Sequence, residues 1–149
     1  MAAVKPIPEG FHTVNPFLLV RGAEELARWI ERAFGARVAM VRDGNGVVQH
    51  VEATIGDSKM MINECPPHEQ PMPAGLYLYV ENVDAAWKRA MGAGAQEMMP
   101  LEDQFWGDRA GGMRDRWGNA WFLASRIEKV DVPELERRLA AGSQQGAPA

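Results

Sequence analysis

The sequence predicts an α+β fold built from two βαβββ modules. Three observations carry this. A strand–helix–strand–strand–strand order of patterns occurs twice along the chain. At an offset of 60, Phe17-Leu18-Leu19-Val20 lies on Tyr77-Leu78-Tyr79-Val80, Glu24 on Asp84 and Leu26 on Ala86. At an offset of 62, a hairpin glycine recurs, with Gly56-Asp57 on Gly118-Asn119 and Met60-Met61 on Phe122-Leu123. Such a recurrence is the mark of one supersecondary unit used twice.

The first 14 residues carry prolines and a glycine and read as an extended lead-in. The first module spans 15–65. In it Asn15 to Val20 is a short apolar strand. Ala23 to Phe34 places Ala23, Leu26, Ala27, Ile30, Ala33 and Phe34 on one helical stripe, and Gly35 suits its stop. Strands follow at Val38 to Arg42, Val47 to Ile55 and Ser58 to Asn63, separated by Asp43-Gly44-Asn45-Gly46 and Gly56-Asp57 turns. In Val47 to Ile55, alternation assigns Val47, Gln49, Val51, Ala53 and Ile55 to the helix side, and Val48, His50, Glu52 and Thr54 to the opposite face. Residues 66–74 form a Pro-rich linker.

The second module spans 75–127. Its elements are strand Leu76 to Val80, helix Val83 to Met91 with Asn82 as N-cap, and strand Gln96 to Met99. Asp103 to Arg109 reads as a loop. It leads into a hairpin of Gly112 to Trp117 and Ala120 to Ser125, closed by Gly118-Asn119. The loop mixes Phe105, Trp106, Asp108 and Arg109, which suits either a pocket rim or a cover for the core, and Asp108-Arg109 reads as a rim ion pair. Residues 128–141 hold a last helix, with Asp131 as N-cap and Glu134 at capping-box spacing. Residues 142–149 read as a disordered tail.

Composition narrows the function classes. A chain of 149 residues fits one domain or two small halves sharing a core. Its 46% hydrophobic and 24% charged residues are ordinary for a globular protein. Net charge is −4 and no Lys/Arg cluster marks a nucleic-acid face. Cys65 stands alone, so no intrachain disulfide forms and a reducing compartment fits. No signal-peptide run is visible, nor any stretch near the roughly 18 apolar residues of a membrane span. The expectation is a cytoplasmic protein with neither a membrane nor a nucleic-acid partner.

The two modules, with Val83-Asp84-Ala85-Ala86, Asp103-Gln104-Phe105-Trp106-Gly107-Asp108-Arg109 and Asp115-Arg116-Trp117-Gly118-Asn119, resemble the vicinal oxygen chelate superfamily. That superfamily includes glyoxalase I, bleomycin-resistance proteins, fosfomycin-resistance enzymes and extradiol dioxygenases. The third segment is similar to the family's Asp-Pro-x-Gly-Asn/His turn, with Arg116 where Pro is common. The resemblance implies two curved mixed sheets with helices outside, a cleft that holds a small ligand, and a homodimer. It also implies that metal-dependent members keep His, Gln or Glu at positions falling near Asn15, Met60, Gly75 and Phe122. Those residues make no ligand set, since Gly and Phe offer no donor and Met and Asn are weak.

No cofactor is therefore expected. A divalent metal is the alternative, and it would need His50, Glu52 or Glu64. Ser58 and Ser125 lack a nucleophile-elbow motif, and Cys65 has no basic neighbour in sequence. The leading function is a metal-free, bleomycin-resistance-like protein that binds a partly aromatic small molecule. Phe105, Trp106 and Arg109 would form a wall, Tyr77 and Phe122 the floor, and His50 and Glu52 the polar contacts. For Trp106 the other reading is a core plug. The competing functions are a metal-dependent lyase, isomerase or dioxygenase, and a dimeric regulatory module without a ligand.

Overall fold

The computed structural model describes residues 3–143. The first module comprises β1 (Phe17–Val20), α1 (Ala23–Phe34), β2 (Arg37–Arg42), β3 (Val48–Ile55) and β4 (Ser58–Glu64). The second comprises β5 (Gly75–Tyr79), α2 (Val83–Gly92), β6 (Gln96–Asp103), β7 (Asp108–Arg114) and β8 (Ala120–Arg126), followed by α3 (Val132–Ser143). The sheets have the orders β1-β4-β3-β2 and β5-β8-β7-β6. In each, the first and last strands of the module pair in parallel and the others antiparallel. The two-module α+β fold is thus as the sequence predicts. Residues 1–2 and 144–149, including most of the expected tail, lie outside the described residues.

The helices form where the pattern and the caps agree. α1 buries Leu26, Ala27, Trp29, Ile30 and Ala33 on one stripe. At its start the Glu64 carboxylate accepts from the Gly22 and Ala23 amides. At its end Gly35, with φ 68°, donates to the Glu31 carbonyl. That left-handed conformation favours glycine. α2 starts as expected, with Asn82 Oδ1 accepting from the Ala85 amide at 3.1 Å. α3 begins where Asp131 Oδ1 accepts from the Glu134 amide, and it extends to Ser143, beyond the expected end.

One core joins the modules. Leu18, Ile30, Val51 and Ile62 cluster with Met113, Trp121 and Leu123. Trp29 and Phe34 of α1 reach Trp121 of the second sheet at ring distances of 6.2 and 4.7 Å. Trp29 Nε1 donates to the Ala93 carbonyl after α2, and Arg89 of α2 donates to the Arg32 carbonyl near the end of α1. Burial of one side chain such as Ile30 is worth about 1.5–3 kcal/mol. Each sheet therefore has a face packed on helices and an open face.

Four local readings need correction. In β3, Val51 and Ala53 face the core as expected, but Val48 is buried and Gln49 exposed. The pairing with β2 jumps from Val41↔His50 to Arg42↔Val48, so Gln49 is the extra residue of a bulge and the alternation flips there. β6 does not stop at Met99. It continues past Pro100 to Asp103 with two register shifts, which an edge strand tolerates. The expected loop is thus a tight hairpin, Gln104 to Gly107, with β7 beginning at Asp108. β7 ends at Arg114, so the last turn is Asp115 to Asn119. Asp115 holds that turn: its carboxylate accepts from the Trp117 and Asn119 amides, Asn119 Nδ2 and Trp121 Nε1.

Candidate functional site

The early start of β7 sets the parity of its side chains. Asp108, Ala110 and Gly112 point to the open face of the second sheet, and Arg109, Gly111 and Met113 to the helix side. The registers build three rows on that open face. Tyr77, Phe122 and Gly112 make one, Tyr79, Ala124 and Ala110 the next, and Arg126 with Asp108 the third. The glycines are required here. A Cβ on Gly112 would come within 2.8 Å of the Phe122 ring, and one on Gly111 within 2.6 Å of Trp87 on the other side. Gly-Gly weakens a strand, yet it lets a ring come close on each face of this one.

Asp108 is the centre of the cluster. It is fully buried. Its Oδ2 accepts from Tyr77 Oη at 2.7 Å, Tyr79 Oη at 2.8 Å and Trp106 Nε1 at 3.2 Å, while Oδ1 accepts from Arg126 Nε at 3.3 Å. Ala110 and Ala124 are fully buried beneath. Their small side chains let both tyrosines lean along the sheet to Asp108, Tyr77 from two rows away and Tyr79 from one. Burial opposes the charge on Asp108, but the two hydroxyls and Arg126 outweigh it and hold the carboxyl below its ordinary range. Burial first, and then the bond to Asp108, pushes the Tyr77 phenol up to about 12. The rings of Tyr77 and Phe122 stack at 6.2 Å, and Tyr77 and Tyr79 lie 5.3 Å apart. Tyr77 and Tyr79 remain 44% and 58% exposed.

Of the residues the sequence nominates, Tyr77, Phe122 and Trp106 meet in this cluster. Trp106 is half-buried and its N–H is engaged by Asp108 and the Tyr77 oxygen, so it is neither a free wall nor a core plug. Phe105 stands edge-on to Trp106 at the hairpin tip, and its carbonyl accepts from Arg138 of α3. Arg109 is a correction. It lies on the helix side, paired with Asp84 of α2 and with Asp103, because neighbouring residues of a strand face opposite ways. His50 and Glu52 are on the open face of the first sheet. There His50 Nδ1 lies 2.5 Å from Asn63 Oδ1, and Nε2 lies 3.9 Å from Glu52.

Sequence reasoning treated Asp108 as a rim partner for Arg109 and missed Arg126 altogether. A strand beginning at Asp108 and a last strand one residue longer would have set them opposite each other.

The family's metal positions do not assemble a ligand set. Asn15 uses its amide on the His12 backbone, and Met60 faces the core rather than the open face. Glu64 is engaged in capping α1. Among the described residues no three His, Cys, Asp or Glu side chains are grouped to hold a metal. A groove of about 740 Å³ runs between the free edge of β5 and the β3–β4 hairpin. Phe34, Met60, Leu78, Tyr77, Tyr79 and Trp121 line it.

Residues 11–123 match the family model described as the Glyoxalase/Bleomycin resistance protein/Dioxygenase superfamily. An uncharacterized protein of Mycobacterium bovis is 31% identical over 145 residues, covering 89% of this chain and 93% of its own length. A Mycobacterium tuberculosis counterpart is 31% identical, with coverages of 89% and 84%. Among solved structures, TioX from Micromonospora sp. ML1 is 22% identical with a TM-score of 0.64, over 76% of this chain and 99% of that one. A glyoxalase-related enzyme from Clostridium phytofermentans is 16% identical with a TM-score of 0.63, over 80% and 100%. At those identities the structures speak to fold alone. With the duplicated βαβββ architecture and the family match over most of its length, this chain belongs to the glyoxalase/bleomycin resistance protein/dioxygenase superfamily.

Proposed function

We propose that this protein binds a small, partly aromatic organic compound on the open face of its second sheet, without a metal ion, as a cytoplasmic homodimer. The observation that carries the reading is the ring cluster of Tyr77, Tyr79 and Phe122. Two of its rings are about half exposed, and Asp108 holds both by their hydroxyls. A fixed aromatic surface on solvent costs stability unless something covers it. Beside it, a groove of about 740 Å³ has the size of a small-molecule site. The metal-free part rests on the donor set: the four family positions offer no ligands together, and Glu64 is held by the start of α1. The dimer is supported by the free edge of β5 and the exposed Phe17 and Val41 on the other sheet.

The test is titration with 2-naphthylmethanol, followed by tryptophan fluorescence. Binding is expected, and Phe122→Ala should weaken it severalfold while Tyr79→Phe retains it. Lack of binding, or binding indifferent to Phe122→Ala, would overturn the site. One equivalent of zinc, nickel, manganese or iron in tag-free protein, lost with His50→Ala or Glu64→Ala, would overturn the metal-free reading. A mass near 16.5 kDa in sedimentation at micromolar concentration would argue for a monomer.

A further inference from the structure

Resting on that binding reading, we infer that the compound is an aromatic acid whose carboxylate is received by Arg126. The cluster's donors and acceptors point to an acid. Each tyrosine has one hydroxyl proton, and both protons go to Asp108. The phenol oxygens therefore face a ligand only as acceptors. The Tyr77 oxygen already accepts from Trp106 Nε1 at 3.1 Å, and that of Tyr79 from Arg126 Nη2 at 3.3 Å. Asp108 is fully buried and contacted by four donors, so no ligand cation reaches it.

Arg126 is the group in the cluster with donors to spare. Its Nε and Nη2 are engaged, whereas Nη1 has no hydrogen-bond partner among the described residues. The side chain is 56% exposed. Its guanidinium lies 5.8 Å from the Tyr79 ring centre. Asp108 and Tyr79 thus hold Nε and Nη2, and Nη1 is left over on a side chain that is more than half exposed. A planar guanidinium fixed on one edge suits a carboxylate on the other.

The spacing fits. Arg126 lies two residues beyond Ala124, which pairs with Tyr79, and four beyond Phe122, which pairs with Tyr77. At about 3.3 Å per residue, the guanidinium's row is roughly 7 Å from Tyr79 and roughly 13 Å from Phe122. A fused bicyclic ring laid on Tyr79 and Tyr77 would carry a carboxylate on its end to Arg126. The Asp108–Arg126 pair is neutral as a whole, but its negative end is buried and its positive end exposed. An anion is preferred over a cation of the same shape for that reason.

The experiment compares three probes of one shape on the intact protein: 2-naphthoate, 2-naphthylmethanol and 2-naphthylmethylammonium. Naphthoate should bind about tenfold more tightly than the alcohol, as a charge-assisted pair allows, and the ammonium probe most weakly. Added salt should narrow the gap. Measured against the alcohol in the same variant, naphthoate should lose its advantage in Arg126→Gln. Arg126→Lys should keep part of the preference, since charge remains without the planar fork. Equal binding of all three probes, with loss on Phe122→Ala, would overturn the acid preference while the aromatic site stands. So would a preference for naphthoate that survives Arg126→Gln. Failure of every probe to bind would overturn both.

Discussion

The open faces of the two sheets share a backbone plan and differ in chemistry. In the first module, Phe17, Met61 and Glu52 form one row, and Leu19, Asn63 and His50 the next. The matching rows of the second module are Tyr77, Phe122 and Gly112, then Tyr79, Ala124 and Ala110. The polar groups of the first face lie within these rows, half-exposed, as a His50–Asn63 bond with Glu52 beside it. Those of the second lie one row further out, where Asp108 is buried and Arg126 is exposed. Small residues in the middle rows let large rings lean across. A duplicated frame therefore became one face that mixes apolar side chains with a half-exposed polar trio, and one whose aromatic surface is pinned by a buried charge.

The largest expected effect that sharpens this comparison is at Asp108. Asp108→Ala leaves two hydroxyls, an indole N–H and a guanidinium without their acceptor. The cost should be about 3 kcal/mol, read as the loss in unfolding free energy in urea. Glu52→Ala on the first face should fall within measurement scatter. Equal losses at the two sites would break the asymmetry. Acid supplies a second reading of the same charge. Asp108 has a depressed carboxyl in the fold, so its contribution is present above the ordinary carboxylate range and is lost as pH falls through its folded value. The native protein should therefore lose more stability on acidification than Asp108→Asn does.

A smaller effect is expected at Ala124. A leucine there fills the space over which Tyr77 and Tyr79 lean. Overpacking of this kind costs about 1–3 kcal/mol. Binding of 2-naphthylmethanol should fall with it. If Ala124→Leu were as stable as the native chain and bound the probe equally well, the leaning of the rings would not depend on the small row.

The Tyr77 phenol gives a subtler reading. The chain has two tyrosines, so Tyr79→Phe leaves Tyr77 alone to be titrated by tyrosinate absorbance. It should ionise at about 12. Asp108→Asn in that background should bring it down, because the bond to the carboxylate is one cause of the shift. A group raised in the fold contributes stability below its unfolded value, which is near 10 for tyrosine, and loses it as pH rises towards the folded value. Stability should thus decline between about pH 10 and 12, less steeply without Asp108. A titration at the ordinary value would mean that Tyr77 does not donate to Asp108.

Most of the fold was legible because independent signals agreed. The α1 stripe ended at Gly35, Asn82 and Asp131 capped the later helices, and the hairpin glycines recurred between modules. The site was only half legible, because it depends on strand parity. The strand was expected to end at Met99, whereas β6 runs on through Pro100, which an edge strand accommodates. With β7 thought to begin at Gly112, nothing separated Asp108 from Arg109, and the pair read as a surface ion pair. One more turn of alternation places them on opposite faces. Arg126 lay just beyond the expected end of the last strand. In β3 the reverse occurred: alternation was applied through Gln49, where a bulge breaks it, and Val48 was assigned to the wrong face. Periodicity says which residues share a face only between such interruptions.

The smallest effect separates the two arginines. Arg109 donates from Nε and Nη2 to Asp84 and from Nη1 to Asp103, all near the surface. Its hydrogen bond holds the Asp84 carboxyl below the ordinary range. Surface pairs of this kind add little to stability and are screened by salt. Arg109→Gln should shift Tm slightly at low salt and hardly at all at high salt. It should leave the binding of 2-naphthoate unchanged, because its side chain is on the helix side of β7. Arg126→Gln, on the open face, should remove the preference for that probe. If Arg109→Gln instead abolished naphthoate binding while Arg126→Gln did not, the ligand would lie on the helix side, and the pinned aromatic face would be structural.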